Sequence, residues 1–235
     1  MLEKKHKRFL EKYISSKYLD EKNLKEMKMN FDACQHVKQI RLENFLDQSF
    51  MKGVEDDICN GKREHDEFYT HEEGYKKGTG SYITWKYLSG LYTLFHSKAF
   101  YSYMEIFYET SVSTPIPVWF MLENILRSLM RTRGSLLQIY NSWDYLSWHT
   151  DGPIQEVAGS FVFFLNKQWD ASQWGALEFW YKDNIQEREP KVYASVYPEY
   201  NTFVFFKCEK DVSWHRVQWV SSWERMTYHD QLFYK

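Results

Sequence analysis

Residues 148–151, WHTD, put His149 and Asp151 two positions apart, and the late segment SWHRVQWV brings a second histidine, His215. Imidazole nitrogen and carboxylate oxygen together suit a divalent metal. The tripeptide alone says little. With eight His and twelve Asp in the chain, random placement gives roughly 0.4 His-x-Asp matches. Two rivals of the same spacing lie upstream, His65-Asp66-Glu67 and His71-Glu72-Glu73. They fall in a polar stretch with no strand pattern and read as loop residues. His149 and Asp151 instead open a β-rich half, where alternate residues of a strand face one way and can reach one point.

His215 sits in an alternating run and supplies a third ligand. Two His and one carboxylate on one octahedral face leave positions open, the arrangement of non-haem Fe(II) oxygenases. Zinc hydrolysis also uses mixed His/carboxylate sites. The distinguishing residue is Arg225, ten positions after His215. A guanidinium buried there can bind the far carboxylate of a keto-acid cosubstrate bidentately, and Thr227, on the same strand face, could donate a hydroxyl to it. Each has a plain structural explanation too, with His215 a core histidine and Arg225 a surface strand residue. Their order is what points to chemistry.

The elements that must position these residues change character along the chain. Residues 1 to about 30 are Lys-rich with apolar positions at Phe9, Leu10, Tyr13, Ile14 and Tyr18, which predicts one amphipathic helix. VKQIRLENFL (37–46) reads as a strand and DQSFMKGVEDDICNG as a helix ending at Gly61. The polar stretch 60–80 reads as a loop or lid. Residues 85–110 and 120–131 are apolar at helical spacing. From 134 the chain breaks into short aromatic and β-branched runs: 134–141, 159–166, 175–181, 191–197, 201–207, 214–220 and 225–234. Helices followed by such strands predict an α+β fold, a double-stranded β-helix (jelly roll) with supporting N-terminal helices.

Bulk properties bound the rest. A chain of 235 residues suits one domain with an N-terminal appendage. The division expected is a helical extension over 1–36 and the main domain over 37–235, its jelly-roll core from about 134. Net charge is −2, so nothing favours nucleic acid. No run of about 18 apolar residues exists, which argues against a membrane span. Cys34, Cys59 and Cys208 form no CxxC pair or disulfide framework, and a reducing cytoplasm fits best.

QIYNSWDYLSWHTD, FFLNKQWDASQWGALEF and WHRVQWVSSWERMTY together resemble the prolyl-4-hydroxylase-like branch of the Fe(II)/2-oxoglutarate-dependent oxygenases, over roughly residues 37–235. IRLENFLDQSF is similar to that family's opening strand and helix. The resemblance implies that His149, Asp151 and His215 bind Fe(II). It implies that Arg225, Thr227 and Tyr140 hold 2-oxoglutarate, with O2 the oxidant and ascorbate a reductant. Gly175 then allows close strand approach beside the cosubstrate, or is a plain turn glycine. The implied reaction is hydroxylation of an unactivated C–H, with decarboxylation of 2-oxoglutarate to succinate.

The chain also departs from the family pattern. A tyrosine that often contacts the cosubstrate is Phe164 here, and the second glycine of a Gly-Gly pair is Ala176. The segment GPIQEVAGS lacks the arginine of hypoxia-type enzymes. Asp151 is present, which disfavours a halogenase. The substrate is a protein side chain such as prolyl, or a small molecule (an amino acid, sugar acid or biosynthetic intermediate), for which Arg127, Arg131 or Arg133 are candidate anchors. A third reading is a non-catalytic binding relative, and the intact ligand set argues against it. Trp143, Tyr145, Trp148 and Trp174 are either a wall over the site or ordinary core.

Overall fold

The computed structural model describes residues 2–60, 64–68, 78–82, 86–113, 137–151, 157–182, 191–209, 212–221 and 223–234, with backbone alone at 64–68, 78–82, 86–89 and 137. The helices are α1 (Lys4–Leu10), α2 (Glu21–Asp32), α3 (Gln48–Asn60), α4 (Lys86–Phe95) and α5 (Lys98–Tyr108). The strands are β1 (Gln39–Glu43), β2 (Glu64–Phe68), β3 (Gly78–Tyr82), β4 (Val112–Ser113), β5 (Leu137–Tyr140), β6 (Leu146–His149), β7 (Val157–Phe164), β8 (Leu177–Tyr181), β9 (Lys191–Val196), β10 (Thr202–Lys207), β11 (Trp214–Val217) and β12 (Arg225–Tyr234). A larger antiparallel sheet runs β1-β10-β7-β12-β5-β3-β2, with β4 beside β12. A smaller one runs β6-β11-β8-β9. This is the expected α+β jelly roll.

Strand alternation sorts the side chains into two layers. On one face of the larger sheet, Phe161, Phe163, Phe203, Phe205, Met226, Tyr228 and Leu232 share a core with Phe31, Leu91, Phe95, Phe100, Tyr103 and Phe107 of the helices. Much of the aromatic content goes here. Phe95 alone stacks on Phe203 at 5.8 Å and meets Phe161 at 4.9 Å. On the other face, Val162, Phe164, Val204 and Phe206 meet Leu177, Phe179 and Val196 of the smaller sheet. The site lies between the sheets, in this second layer.

Several expectations need correction. The N-terminal residues form α1 and α2, joined by a 3-10 turn at Ser16–Tyr18, in place of one helix. Asp20 ends the joint by accepting from the backbone N–H of Lys22 and Asn23, a helix N-cap. Residues 85–110 likewise divide at Ser97, whose hydroxyl caps α5 by accepting from Phe100 N–H. The stretch 60–80 contains a hairpin, since β2 pairs with β3 and β3 pairs with β5 at Thr79 and Gly80. Pairing at a sheet edge satisfies backbone groups whatever the side-chain pattern, so polarity misled there. His65 and Glu67 therefore lie on a strand, contrary to their reading as loop residues. His71, Glu73, the stretch 120–131 and Arg127, Arg131 and Arg133 lie outside the described residues.

Candidate metal centre

β6 ends at His149, and Asp151 follows beyond the strand. The two do not share a strand face, as the spacing suggested. Instead His149 and His215 are cross-strand partners on β6 and β11, and Asp151, two residues beyond His149, meets them both. The Nε2 atoms of both histidines lie 3.6 Å from Asp151 Oδ1. That is long for a hydrogen bond and leaves room for an ion among the three. One ligand atom from each residue fits within 4.8 Å of the others.

The tautomers agree with this use. His149 Nδ1 is 2.8 Å from Ser147 O and His215 Nδ1 is 3.2 Å from Ser213 O. A proton donated from Nδ1 to a carbonyl leaves the Nε2 lone pair free for a metal. Burial works to raise the Asp151 carboxyl pKa, but His215 and His149 outweigh it and hold it well below the usual range. Burial pulls His215 down to about 4 against the pull of Asp151, so its imidazole is neutral at pH 7. Asp151 and His215 are thus in their metal-binding protonation states.

Asp151 is also gripped from behind. Ser160 Oγ donates to its Oδ2, and Cys208 Sγ stands 3.9 Å from the same oxygen. Both residues are buried. Neither was assigned to the site from the sequence, where Cys208 is only an unpaired cysteine and Ser160 reads as filler in an apolar strand.

Arg225 opens β12 and is 1% exposed. Its Nε donates to Gly175 O at 2.8 Å, and its guanidinium carbon lies 5.1 Å from the rings of both Tyr140 and Phe164. Gly175 has φ +81°, and a Cβ there would lie 3.3 Å from Arg225 Cδ. It is both the turn glycine and the close approach. Asn166 fixes the start of β12, accepting from Met226 N–H at 2.8 Å. Arg225 Nη2 is buried with no partner among the described residues. Burial lowers the guanidinium to about 10, with Tyr140 opposing, so it is still charged at pH 7. A buried cation without a counter-charge is costly, and an anion relieves that cost.

Thr227 is buried beside Arg225 on the same face, opposite Gln138 of β5 and Phe164 of β7. The Tyr140 hydroxyl donates to Gln138 Oε1 at 3.3 Å. Phe164 keeps only an aromatic face toward the guanidinium, as expected from the lost hydroxyl. The tryptophans behave differently from either expectation. Trp143, Trp148 and Trp174 are exposed; Trp143 meets Trp219 edge-on, and Trp148 and Trp174, with Tyr145, Arg216 and Trp219, border an outer groove of about 370 Å³. Alternation requires this at Trp148, because its neighbour His149 faces in.

Residues 136–229 match the family described as the 2OG-Fe(II) oxygenase superfamily. No curated protein matches the sequence. Among solved structures, the fold is similar to an oxidoreductase of the 2OG-Fe(II) oxygenase family from Burkholderia pseudomallei (13% identity, 91% of this chain and 92% of that one, TM-score 0.53). It is similar to the non-heme alpha ketoglutarate dependent epimerase SnoN from nogalamycin biosynthesis (7% identity, 91% and 83%, TM-score 0.54). It is also similar to prolyl 4-hydroxylases from Phytophthora capsici (12% identity, 90% and 64%, TM-score 0.51). Over its jelly-roll core, residues 136–229, the chain thus matches the 2OG-Fe(II) oxygenase superfamily, and this indicates a dioxygenase enzyme.

Proposed function

We propose that His149, Asp151 and His215 hold Fe(II), that Arg225 and Thr227 bind the far carboxylate of 2-oxoglutarate, and that the enzyme hydroxylates an unactivated C–H of its substrate. The observation that carries this is the buried guanidinium with an unpartnered Nη2 in the same inter-sheet layer as the two-His, one-carboxylate cluster. Bound there, the metal with 2-oxoglutarate and O2 supplies the oxidising power: one oxygen atom enters the C–H bond, the other enters succinate, and carbon dioxide leaves. The chain's own groups do the rest. The Nδ1 hydrogen bonds fix the imidazoles, Ser160 orients Asp151, and Arg225 sets the direction of the cosubstrate. The phenyl ring of Phe164 and the ring of Tyr140 keep water from the guanidinium. Ascorbate as a reductant belongs to the same proposal.

The substrate proposed is a protein side chain such as prolyl, in keeping with the prolyl-4-hydroxylase-like motifs and the likeness in fold to the Phytophthora enzymes. The second reading, a small-molecule substrate, is supported by the comparable likeness to SnoN. The main domain is taken as 37–235, with 1–36 a helical extension. Free Cys34, Cys59 and Cys208 suit a cytoplasmic location. Among the described residues no helix is long and apolar enough to cross a membrane, and a net charge of −2 does not favour nucleic acid.

Anaerobic titration with Fe(II) and 2-oxoglutarate tests the assignment. A visible charge-transfer band is expected, lost in His149→Ala and weakened in Arg225→Ala. No band in folded parent protein sinks it. Substrate-dependent succinate release with proline-containing peptides, against free amino acids and sugar acids, then separates the two substrate readings.

A further inference from the structure

We propose that His229 binds the metal-side end of the keto-acid cosubstrate and is the side chain that distinguishes 2-oxoglutarate from its product, succinate. The inference rests on the reading of the site given above.

β12 pairs with β7 in an unbroken run: Thr227 opposite Phe164, His229 opposite Val162, Gln231 opposite Ser160. Side chains two apart on a strand share a face. Arg225 and Thr227 point inward, while Met226, Tyr228 and Leu232 belong to the helix-side core. His229 therefore continues the inner face. One end of this face is the buried guanidinium. At the other end is Ser160, which donates to Asp151. His229 occupies the rung between. At about 3.3 Å per residue, its Cα is roughly 13 Å from that of Arg225, a span that an arginine side chain and a five-carbon dicarboxylate fill together.

The charges of Asp151, His149 and Arg225 all bear on the ring, in keeping with the position that the strand register gives it on this face. Among the described residues no group hydrogen-bonds to it. A neutral imidazole carries one N–H, and a carboxylate is its natural acceptor. 2-Oxoglutarate and succinate present the same carboxylate to Arg225. They differ at the other end, where only 2-oxoglutarate has the keto acid. Arg225 and Thr227 cannot read that difference, and His229 is placed to do so. An enzyme that must release succinate each cycle gains from such a contact, because it is lost with the departing carbon dioxide.

The test is calorimetric titration of the Mn(II)-loaded protein with 2-oxoglutarate and, separately, with succinate. The parent is compared with His229→Leu and His229→Gln, and Mn(II) affinity is measured first. For His229→Leu, 2-oxoglutarate should bind about tenfold more weakly, while succinate and Mn(II) binding change less than about twofold. His229→Gln, which keeps a donor, should recover most of the loss. Arg225→Ala should weaken both dicarboxylates together. Equal weakening of both by His229→Leu, or no change in either, overturns the proposal. Should the leucine variant not fold, His229→Ala carries the same comparison. A parent protein that binds Mn(II) but neither dicarboxylate overturns the reading of the site itself.

Discussion

Asp151 turns one oxygen to the two histidines and the other to Ser160, a division that would leave a single oxygen for a metal held there. Ser160→Ala frees Oδ2. The expected result is metal affinity about tenfold lower and a changed visible spectrum in the Co(II)-substituted protein, read by competition with a chelator and by absorption. Unchanged affinity and spectrum would show that the hydroxyl has no bearing on the ligand. A different residue sets a pH dependence. Asp230 points from β12 toward the helices, its Oδ2 3.4 Å from His96 Nε2, and burial pushes its carboxyl up to about 7. Its folded pKa lies above its unfolded value, so the folded state binds the extra proton between roughly pH 4 and 7. Its contribution to stability therefore falls as pH rises through that window. His96, lowered to about 4 by burial, contributes in the opposite sense. Asp230→Asn removes only the first effect, so the variant should gain on the parent by on the order of 2 kcal/mol between pH 5 and pH 8. Urea midpoints at the two pH values check the sign.

His149, Asp151, His215 and Arg225 were legible in the sequence because their types are chemically specific and their order is unusual. Ser160, Cys208 and His229 were not. A lone polar residue in an apolar strand resembles filler, and only the register of β7 against β12 shows what it faces.

Among the elements, β7 depends on a glycine. A Cβ at Gly159 would run into the Tyr108 hydroxyl and the Phe206 carbonyl, and these two are themselves hydrogen-bonded at 3.0 Å. Gly159→Ala should cost about 3 kcal/mol, seen as a lower urea midpoint. Tyr108→Phe in the same chain should recover part of it, and a parent-like midpoint in the single variant would show that β7 has slack. The C-terminal strands were readable because each is a short apolar run closed by turn residues. The hairpin of β2 and β3 was not, because its pairing comes from backbone groups that a polar sequence does not reveal. The division of the helices at Asp20 and Ser97 was in principle visible as capping residues, but the apolar periodicity on either side hid it.

At the scale of the molecule, the larger sheet serves two layers at once, a helix-side core and an inter-sheet pocket. A metal held by His149, Asp151 and His215 would join β6 and β11 to the segment after β6 and so tie parts of the smaller sheet together. Anything that binds only the folded state stabilises it, by about 2.7 kcal/mol at a hundred times its dissociation constant. Mn(II) at that excess should raise the melting temperature by a few degrees in the parent and not in His149→Ala, as differential scanning fluorimetry would record. An equal rise in both would mean that the ion binds elsewhere. The jelly roll itself was foreseeable from the spacing of the strands. That the tryptophans would lie outside it was not, since aromatic content alone cannot distinguish a core from a surface.

The outward tryptophans have a practical corollary. Trp148 adjoins His149 and Trp214 adjoins His215 in sequence, and their rings meet edge-on at 4.9 Å on the outside of the smaller sheet. Each candidate ligand histidine thus carries a fluorophore on its back. A paramagnetic or coloured ion held by these two histidines would be expected to quench the tryptophan emission, so the chain would contain its own optical gauge of metal occupancy, with no label attached.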